Sequence, residues 1–209
     1  MSRGKYIVIE GNDGTGKSTQ VKLLREYLSS KGIESSEYQE PSGTPIAGAI
    51  REVIINGMLE RSGATNLLLF TAARHEIWKQ AEKDLEEGKW VVCSRNYFST
   101  LAYQGYGEGL DLDLITRLTA EFTSESYMKP DLAIILTLDH DTRASRIAER
   151  GSVKNPDTFE SRTGVFQERV SNGYLEIAKS QQLPILDAAK SPNEIAAEIQ
   201  TEYISKILP

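Results

Sequence analysis

The stretch Gly11-Asn12-Asp13-Gly14-Thr15-Gly16-Lys17-Ser18 has a glycine, four free positions and then Gly-Lys-Ser, a spacing that commits its surroundings to a strand, a tight loop and a helix. The glycines let the backbone turn sharply and aim successive N–H groups inward at an anion. Lys17 can reach β and γ phosphates, and the Ser18 hydroxyl can ligate Mg²⁺. The flanks agree with this. Tyr6-Ile7-Val8-Ile9 is short enough for a buried parallel strand, and Val21, Leu24 and Leu28 fall on one helical face. The loop therefore reads as a phosphate cradle.

A chain of 209 residues can bury a substantial core within one domain, taken here as residues 1–209. No apolar run approaches bilayer length, so no membrane association is expected. The N-terminus lacks an apolar signal core, which predicts a cytoplasmic protein. A net charge of −6 argues against nucleic acid as a partner. The arginines are nevertheless clustered: Arg51, Arg74, Arg95, Arg143, Arg146 and Arg150 each sit beside a candidate site segment, which suggests local anion binding. The lone Cys93 reads as a buried structural thiol, and His75 and His140 lack companions at metal-ligand spacing.

Helical and strand patterns alternate, which predicts an α/β fold around a mainly parallel sheet. Strands are expected near 6–9, 34–39, 90–93, 132–138 and 183–186. Helices are expected after the loop, from the Thr44 cap to about Gly57, over 65–87 with a face of Leu68, Ala72, Ile77 and Ala81, and over 112–122. Further helices are expected over 144–150, from Asp157 to about Ser180, and from the capping box at Ser191 with Ile195, Ile199, Tyr203 and Ile207 on one stripe. The broken, polar segment of about 150–158 reads as a mobile lid.

A phosphate loop alone does not separate a kinase from a switch GTPase or an ATP-driven machine. No Asn-Lys-x-Asp base reader occurs, and larger machines need more chain, so a small nucleotide or metabolite kinase is the remaining class. Phosphoryl transfer is mostly positioning and charge neutralisation, so a phosphate acceptor calls for cations. Arg95 suits this, lying just past the C-terminal end of a buried strand; spacing alone leaves Arg51 equally a surface residue. A phosphate monoester is largely dianionic at neutral pH and needs no protein base. Phe70 and Arg74, one helical turn apart, can stack on a base and bond its edge, although an aromatic at that spacing is more often core. Asp139 reads as a helix cap rather than a metal-binding carboxylate.

Four segments resemble the thymidylate kinase family over essentially the whole chain. They are Glu10 to Gln20, Glu40-Pro41-Ser42-Gly43-Thr44-Pro45 with Ile50-Arg51, Leu69 to Arg74, and Arg95 with Ser99 to Gly105. The resemblance implies a P-loop kinase fold, a five-stranded parallel sheet flanked by helices with a short lid, assembled as a homodimer. It implies ATP-dependent phosphorylation of dTMP to dTDP, with ATP held by Gly11 to Thr19 and Arg146, and Mg²⁺ at Ser18. Phe70 would stack on thymine, Arg74 would bond its edge, and Ser99, Thr100 and Gln104 would line the base pocket beside Glu40 and Pro41. Tyr103 would sit against the sugar, Asp13 near the reacting phosphates, and Arg51 and Arg95 on the acceptor phosphate. Lys17, Asp13, Arg95 and Arg150 would be the catalytic set.

The chain departs from the family pattern at four positions. Ser94 stands where Asp precedes the arginine after the third strand, Gln39 and Thr158 replace arginines, and Gly14 replaces the loop arginine of the eukaryotic branch. Catalytic charge must then come from Arg150 or Lys154, and turnover is expected to be slow. Two alternatives stay open. One is a kinase for another nucleoside monophosphate or for a deoxynucleoside, with Glu40 as base. The other is a catalytically weakened nucleotide-binding module.

Overall fold

Alternation along the first strand sets the two faces of the molecule. The computed structural model describes residues 3–149, 159 and 162–208. The chain runs β1 (Tyr6–Gly11), α1 (Lys17–Ser30), β2 (Ser35–Gln39), α2 (Pro45–Ile55), α3 (Gly63–Glu86), β3 (Trp90–Ser94) and α4 (Tyr97–Thr100). It continues through α5 (Leu112–Phe122), α6 (Glu125–Met128), β4 (Leu132–Thr137), α7 (His140–Glu149), α8 (Gly164–Gln181), β5 (Ile185–Asp187) and α9 (Pro192–Glu198). All strand pairs are parallel, in the order β2-β3-β1-β4-β5. Tyr6 and Val8 face one apolar cluster with Ile77, Leu85, Ile135 and Tyr174; Ile7 and Ile9 face a second with Leu24, Leu28, Ile195 and Ile199. Every β1 residue is buried, as a central parallel strand covered on both faces requires.

This topology places the site. The loop after β1 and the turn after β3 emerge side by side at the C-terminal edge of the sheet, where open α/β sheets bind ligands. Helix α2 starts where expected, with the Thr44 hydroxyl accepting from Ala47 N at 3.2 Å and Pro45 in the first turn.

Several expectations need correction. On α3, Ile77 and Ala81 are buried but Leu68 and Ala72 lie on the outer face, so the expected apolar face divides between core and surface. Helix α8 begins at Gly164: Phe159 sits in a turn whose carbonyl accepts from Arg162 N, and Thr163 is extended. The region expected as a lid, about 150–158, lies outside the described residues, together with Arg150 and Lys154. The fifth strand is shifted to Ile185–Asp187: Leu183 N is bonded back to Ala178 O at the end of α8, and the ladder opens with Ile135 N donating to Pro184 O. Helix α9 widens into a π-helical turn at Ile199–Tyr203 and tightens at Ile204–Lys206. This brings Ile204 into the core behind Ile195 and Ile199, while Tyr203 and Ile207 stay partly buried.

Helix α4 likewise continues as a π-helical stretch over Leu101–Gly107, and α8 packs closely on it. Both sides of that contact use glycine. A Cβ on Gly173 would lie 2.8 Å from Tyr106 Cβ, and one on Gly107 would lie 2.6 Å from Phe166 Cε2. We predict that Gly173→Ala destabilises the protein by about 1–3 kcal/mol, as overpacking does in well-filled cores. Urea unfolding monitored by tryptophan fluorescence checks this, and an unchanged midpoint contradicts it.

Candidate active site

Glu10 ends the buried face of β1 as a fully buried carboxylate. Its Oε1 accepts from Asn96 N at 2.7 Å and Ser99 N at 3.1 Å, and its Oε2 from Tyr174 O–H at 2.9 Å and Gly11 N at 3.2 Å. The Ser99 hydroxyl also donates to it, 2.8 Å from Oε2. Burying a carboxylate costs several kcal/mol unless its lone pairs are satisfied, and here they are. Arg95 Nη1 completes the network, donating to Ser99 Oγ at 2.9 Å and Tyr174 Oη at 3.2 Å. Arg95 is thus tied to Glu10 through two hydroxyls. Its backbone has φ 74, in the left-handed region, where a residue with a side chain is held against its own preference at a cost of about 1 kcal/mol or more.

The other guanidinium nitrogen of Arg95 pairs with Asp13 Oδ1, and Tyr103 O–H donates to Asp13 Oδ2 at 3.0 Å. Lys17 Nζ donates to Asn12 O at 2.8 Å and stands 3.9 Å from Asp13. Burial opposes ionisation of Asp13, but Arg95 and Lys17 outweigh it and hold the carboxyl well below the usual carboxylate range. Burial also opposes the charge on Arg95, and Asp13 more than compensates, so the guanidinium stays charged. The expected catalytic residues Asp13, Lys17 and Arg95 are therefore one cluster. Arg150, the fourth, lies outside the described residues.

Beside this cluster opens a cavity of about 260 Å³, whose lining includes Glu40, Arg51, Phe70, Arg74, Tyr103 and Gln104. Pro41, Arg95, Ser99 and Thr100 line it as well, so every residue expected on the acceptor side is brought together. Arg51, ambiguous from spacing, faces the cavity. Arg74 is buried at the floor, donating from Nε to Glu40 Oε2 at 3.0 Å and from Nη2 to Thr100 Oγ1 at 2.7 Å. The second Glu40 oxygen accepts from Tyr127 O–H at 2.6 Å. Glu40 is thus a structural counter-ion with both oxygens engaged, not a free base. Three buried donors of lining residues have no partner among the described residues: Arg74 Nη1, Asn96 Nδ2 and Gln104 Nε2. Buried polar atoms are nearly always paired, so unpaired donors around a cavity are positions where a polar ligand or ordered water can bind. The Phe70 and Phe159 rings, 5.9 Å apart, supply apolar walls.

On the other side of the loop a second depression is lined by Gly14, Thr15, Gly16, Thr19, Arg146 and Lys190, among others. Arg146 Nη1 donates to Ala188 O at 3.0 Å, which fixes the guanidinium beside the segment after β5. Ser18 is exposed at the start of α1. Asp139 Oδ1 accepts from Thr142 N at 2.9 Å, the helix cap expected of it. Cys93 is buried and free, and His75 Nδ1 is bonded to Phe122 O. No cluster of three or more metal-ligating side chains occurs among the described residues. A divalent ion here would be held by Ser18 and phosphate oxygens, the habit of Mg²⁺. Among the described residues, no helix is long and apolar enough to cross a membrane.

Sequence reasoning gave no role to Tyr174, Tyr127, Asn96 or Gln167. Tyr174 looks like one more apolar residue of α8 beside Val170, Ile177 and Ala178. For Glu10 the signal is its position: a carboxylate in an otherwise apolar buried strand, on the same face as Tyr6 and Val8, points inward by alternation.

A family model described as Thymidylate kinase matches residues 9–199. The chain is 37% identical to the thymidylate kinase of Carboxydothermus hydrogenoformans, covering 95% of this chain and 96% of that one. It is 40% identical to that of Alkalilimnicola ehrlichii, over 99% and 95%. The solved thymidylate kinase of Ehrlichia chaffeensis superposes with a TM-score of 0.73 at 28% identity, over 96% of this chain and 98% of that one.

Two variants test this geometry. Glu40→Gln leaves Arg74 buried without its counter-ion and should cost about 3–5 kcal/mol in urea unfolding; a loss below about 1 kcal/mol contradicts the pairing. Asp13 has a depressed folded-state pKa, so its contribution is complete above the ordinary carboxylate value and lost as pH falls towards the folded one. The stability gap between wild type and Asp13→Asn should stay constant from about pH 8 to 5 and narrow below about pH 4. A gap that narrows on raising the pH instead contradicts the assignment.

Proposed function

The chain belongs to the thymidylate kinase family, and from this premise we propose that it transfers the γ-phosphoryl group of ATP to dTMP, giving dTDP and ADP. The observation that carries the reading is the cavity floored by Arg74, whose free Nη1 and the Gln104 amide offer buried donors to the carbonyl edge of a pyrimidine. Phe70 stacks on the base, and Thr100, Ser99 and Pro41 shape its pocket. Tyr103, fixed by its bond to Asp13, lies against the sugar and opposes a ribose 2′-OH. Arg51 and Arg95 hold the acceptor phosphate.

The donor is cradled by Gly11, Asn12, Asp13, Gly14, Thr15 and Gly16, with Lys17 on its phosphates and Thr19 and Arg146 towards its base. Ser18 would hold Mg²⁺, which when bound would supply charge neutralisation of the donor phosphates. A dianionic acceptor phosphate attacks without a protein base, consistent with Glu40 having both oxygens engaged. That engagement disfavours the deoxynucleoside reading, because a 5′-hydroxyl acceptor would need such a base. A second copy of the chain is the proposed partner, meeting it through the outer face of α3, where Leu68 is 60% exposed beside exposed Ala72.

ADP release measured with dTMP, dUMP, dGMP, AMP and thymidine as acceptors tests the reading. The expected result is strong preference for dTMP and no turnover of thymidine. Lys17→Ala should lower kcat by about 10²–10³-fold, the usual effect of removing one transition-state charge contact. Turnover of thymidine, or nucleotide binding without turnover of any acceptor, overturns it.

A further inference from the structure

Arg143 and Arg146 lie one turn apart on α7 but turn to different places. Arg146 reaches the depression beside Thr19 and Ala188. Arg143 turns towards the phosphate loop, so closely that a Cβ added at Gly14 would lie 3.0 Å from Arg143 Cγ. Its stem therefore fills the space that the side chain of any larger residue at position 14 would enter. The residue is 5% exposed and borders a third cavity, of about 270 Å³, shared with Asp13, His140, Arg162 and Gln167.

The charge on this guanidinium is poorly answered. Nη1 donates to Gln167 Oε1 at 3.0 Å, and Gln167 in turn donates from Nε2 to Phe159 O at 2.6 Å. Arg74 has Glu40, Arg95 has Asp13 and Arg162 has Glu108 as ion-pair partners. No carboxylate among the described residues pairs with Arg143. A guanidinium this buried and held by a neutral amide alone gives up solvation without a counter-charge, a cost that an anion in the adjoining cavity would offset. The cavity meets the acceptor site at Asp13, which lines both. It approaches the donor site at Gly14, against which Arg143 packs. An anion there lies between donor and acceptor.

We propose that Arg143 contacts the terminal phosphate of the donor nucleotide and supplies, from α7, the positive charge that the loop does not carry at Gly14. The proposal rests on the kinase reading but concerns the donor side alone. Gln167 acts as a positioning residue, orienting the guanidinium from α8.

The test compares the affinities of ATP and ADP, with Mg²⁺ and without acceptor, by isothermal titration calorimetry for wild type, Arg143→Met and Arg143→Lys. Arg143→Met should weaken ATP about tenfold, equivalent to about 1.4 kcal/mol, and ADP less than about twofold. Arg143→Lys should lose about threefold for ATP, keeping the charge but not the planar fork. Equal losses for both nucleotides, or none for ATP, overturn the proposal. If Arg143→Met does not fold, the ATP-over-ADP ratio of Arg143→Lys decides alone. Wild-type turnover of dTMP is read separately. Its absence alongside an ATP-selective loss refutes the acceptor reading and leaves Arg143 standing; turnover alongside an unmoved ratio does the reverse.

Discussion

The buried carboxylate of Glu10 is the constraint on which the site is built. It sits at the end of the central strand with no exposure to water, and such a group is tolerated only where donors converge on it. Those donors come from the start of α4 and from α8, so satisfying Glu10 fixes both elements against the sheet edge. Ser99 and Tyr174 then pass the constraint to Arg95, which they hold on the side away from Asp13. The close approach of α8 to the 101–107 stretch, made possible by Gly107 and Gly173, brings Tyr174 within reach. Core packing and the geometry of the Asp13–Arg95 cluster are thus coupled through one hydrogen-bonded network.

The cavity beside this network repeats the design at a second buried charge. Arg74 is held by Glu40 and Thr100, Glu40 is held by Tyr127, and one guanidinium nitrogen remains for a ligand. An arginine set in a buried network loses little conformational freedom on binding, so in the proposed role of base reader Arg74 would favour discrimination by hydrogen-bond match. The two networks lie on neighbouring strand ends and share one cavity. A base and a phosphate on one nucleotide can therefore engage both.

Much of this was legible in the sequence because short-range rules apply to it. The phosphate loop, the caps at Thr44, Asp139 and Ser191, and the five parallel strands follow from glycine spacing, capping chemistry and apolar periodicity. That residues 40, 51, 74, 95 and 103 belong together was legible only through family resemblance, since nothing local says that they share a cavity. What stayed hidden depends on contacts between distant elements. Tyr174 meets Glu10 across 164 positions of chain, and Arg143 meets Gly14 only after β4 is laid beside β1. The left-handed backbone of Arg95 has no sequence signal either, because its surroundings impose it. The π-helical turns at 101–107 and 199–203 arise from the core's demand for particular side chains, which periodicity of 3.6 does not encode.

The departures at Ser94 and Gly14 gain a physical setting. Ser94 is buried at the end of β3, between Ile9 of β1 and Gln39 of β2, and Gly14 is covered by Arg143. In the proposed function the two buried networks present a base reader and a phosphate clamp to one nucleoside monophosphate. A crystal structure of the dTMP complex tests this most directly. The expected result is the thymine edge within hydrogen-bond distance of Arg74 Nη1, the ring against Phe70, and the phosphate between Arg51 and Arg95. A dTMP bound with its base away from Arg74, or its phosphate away from Arg95, would contradict it.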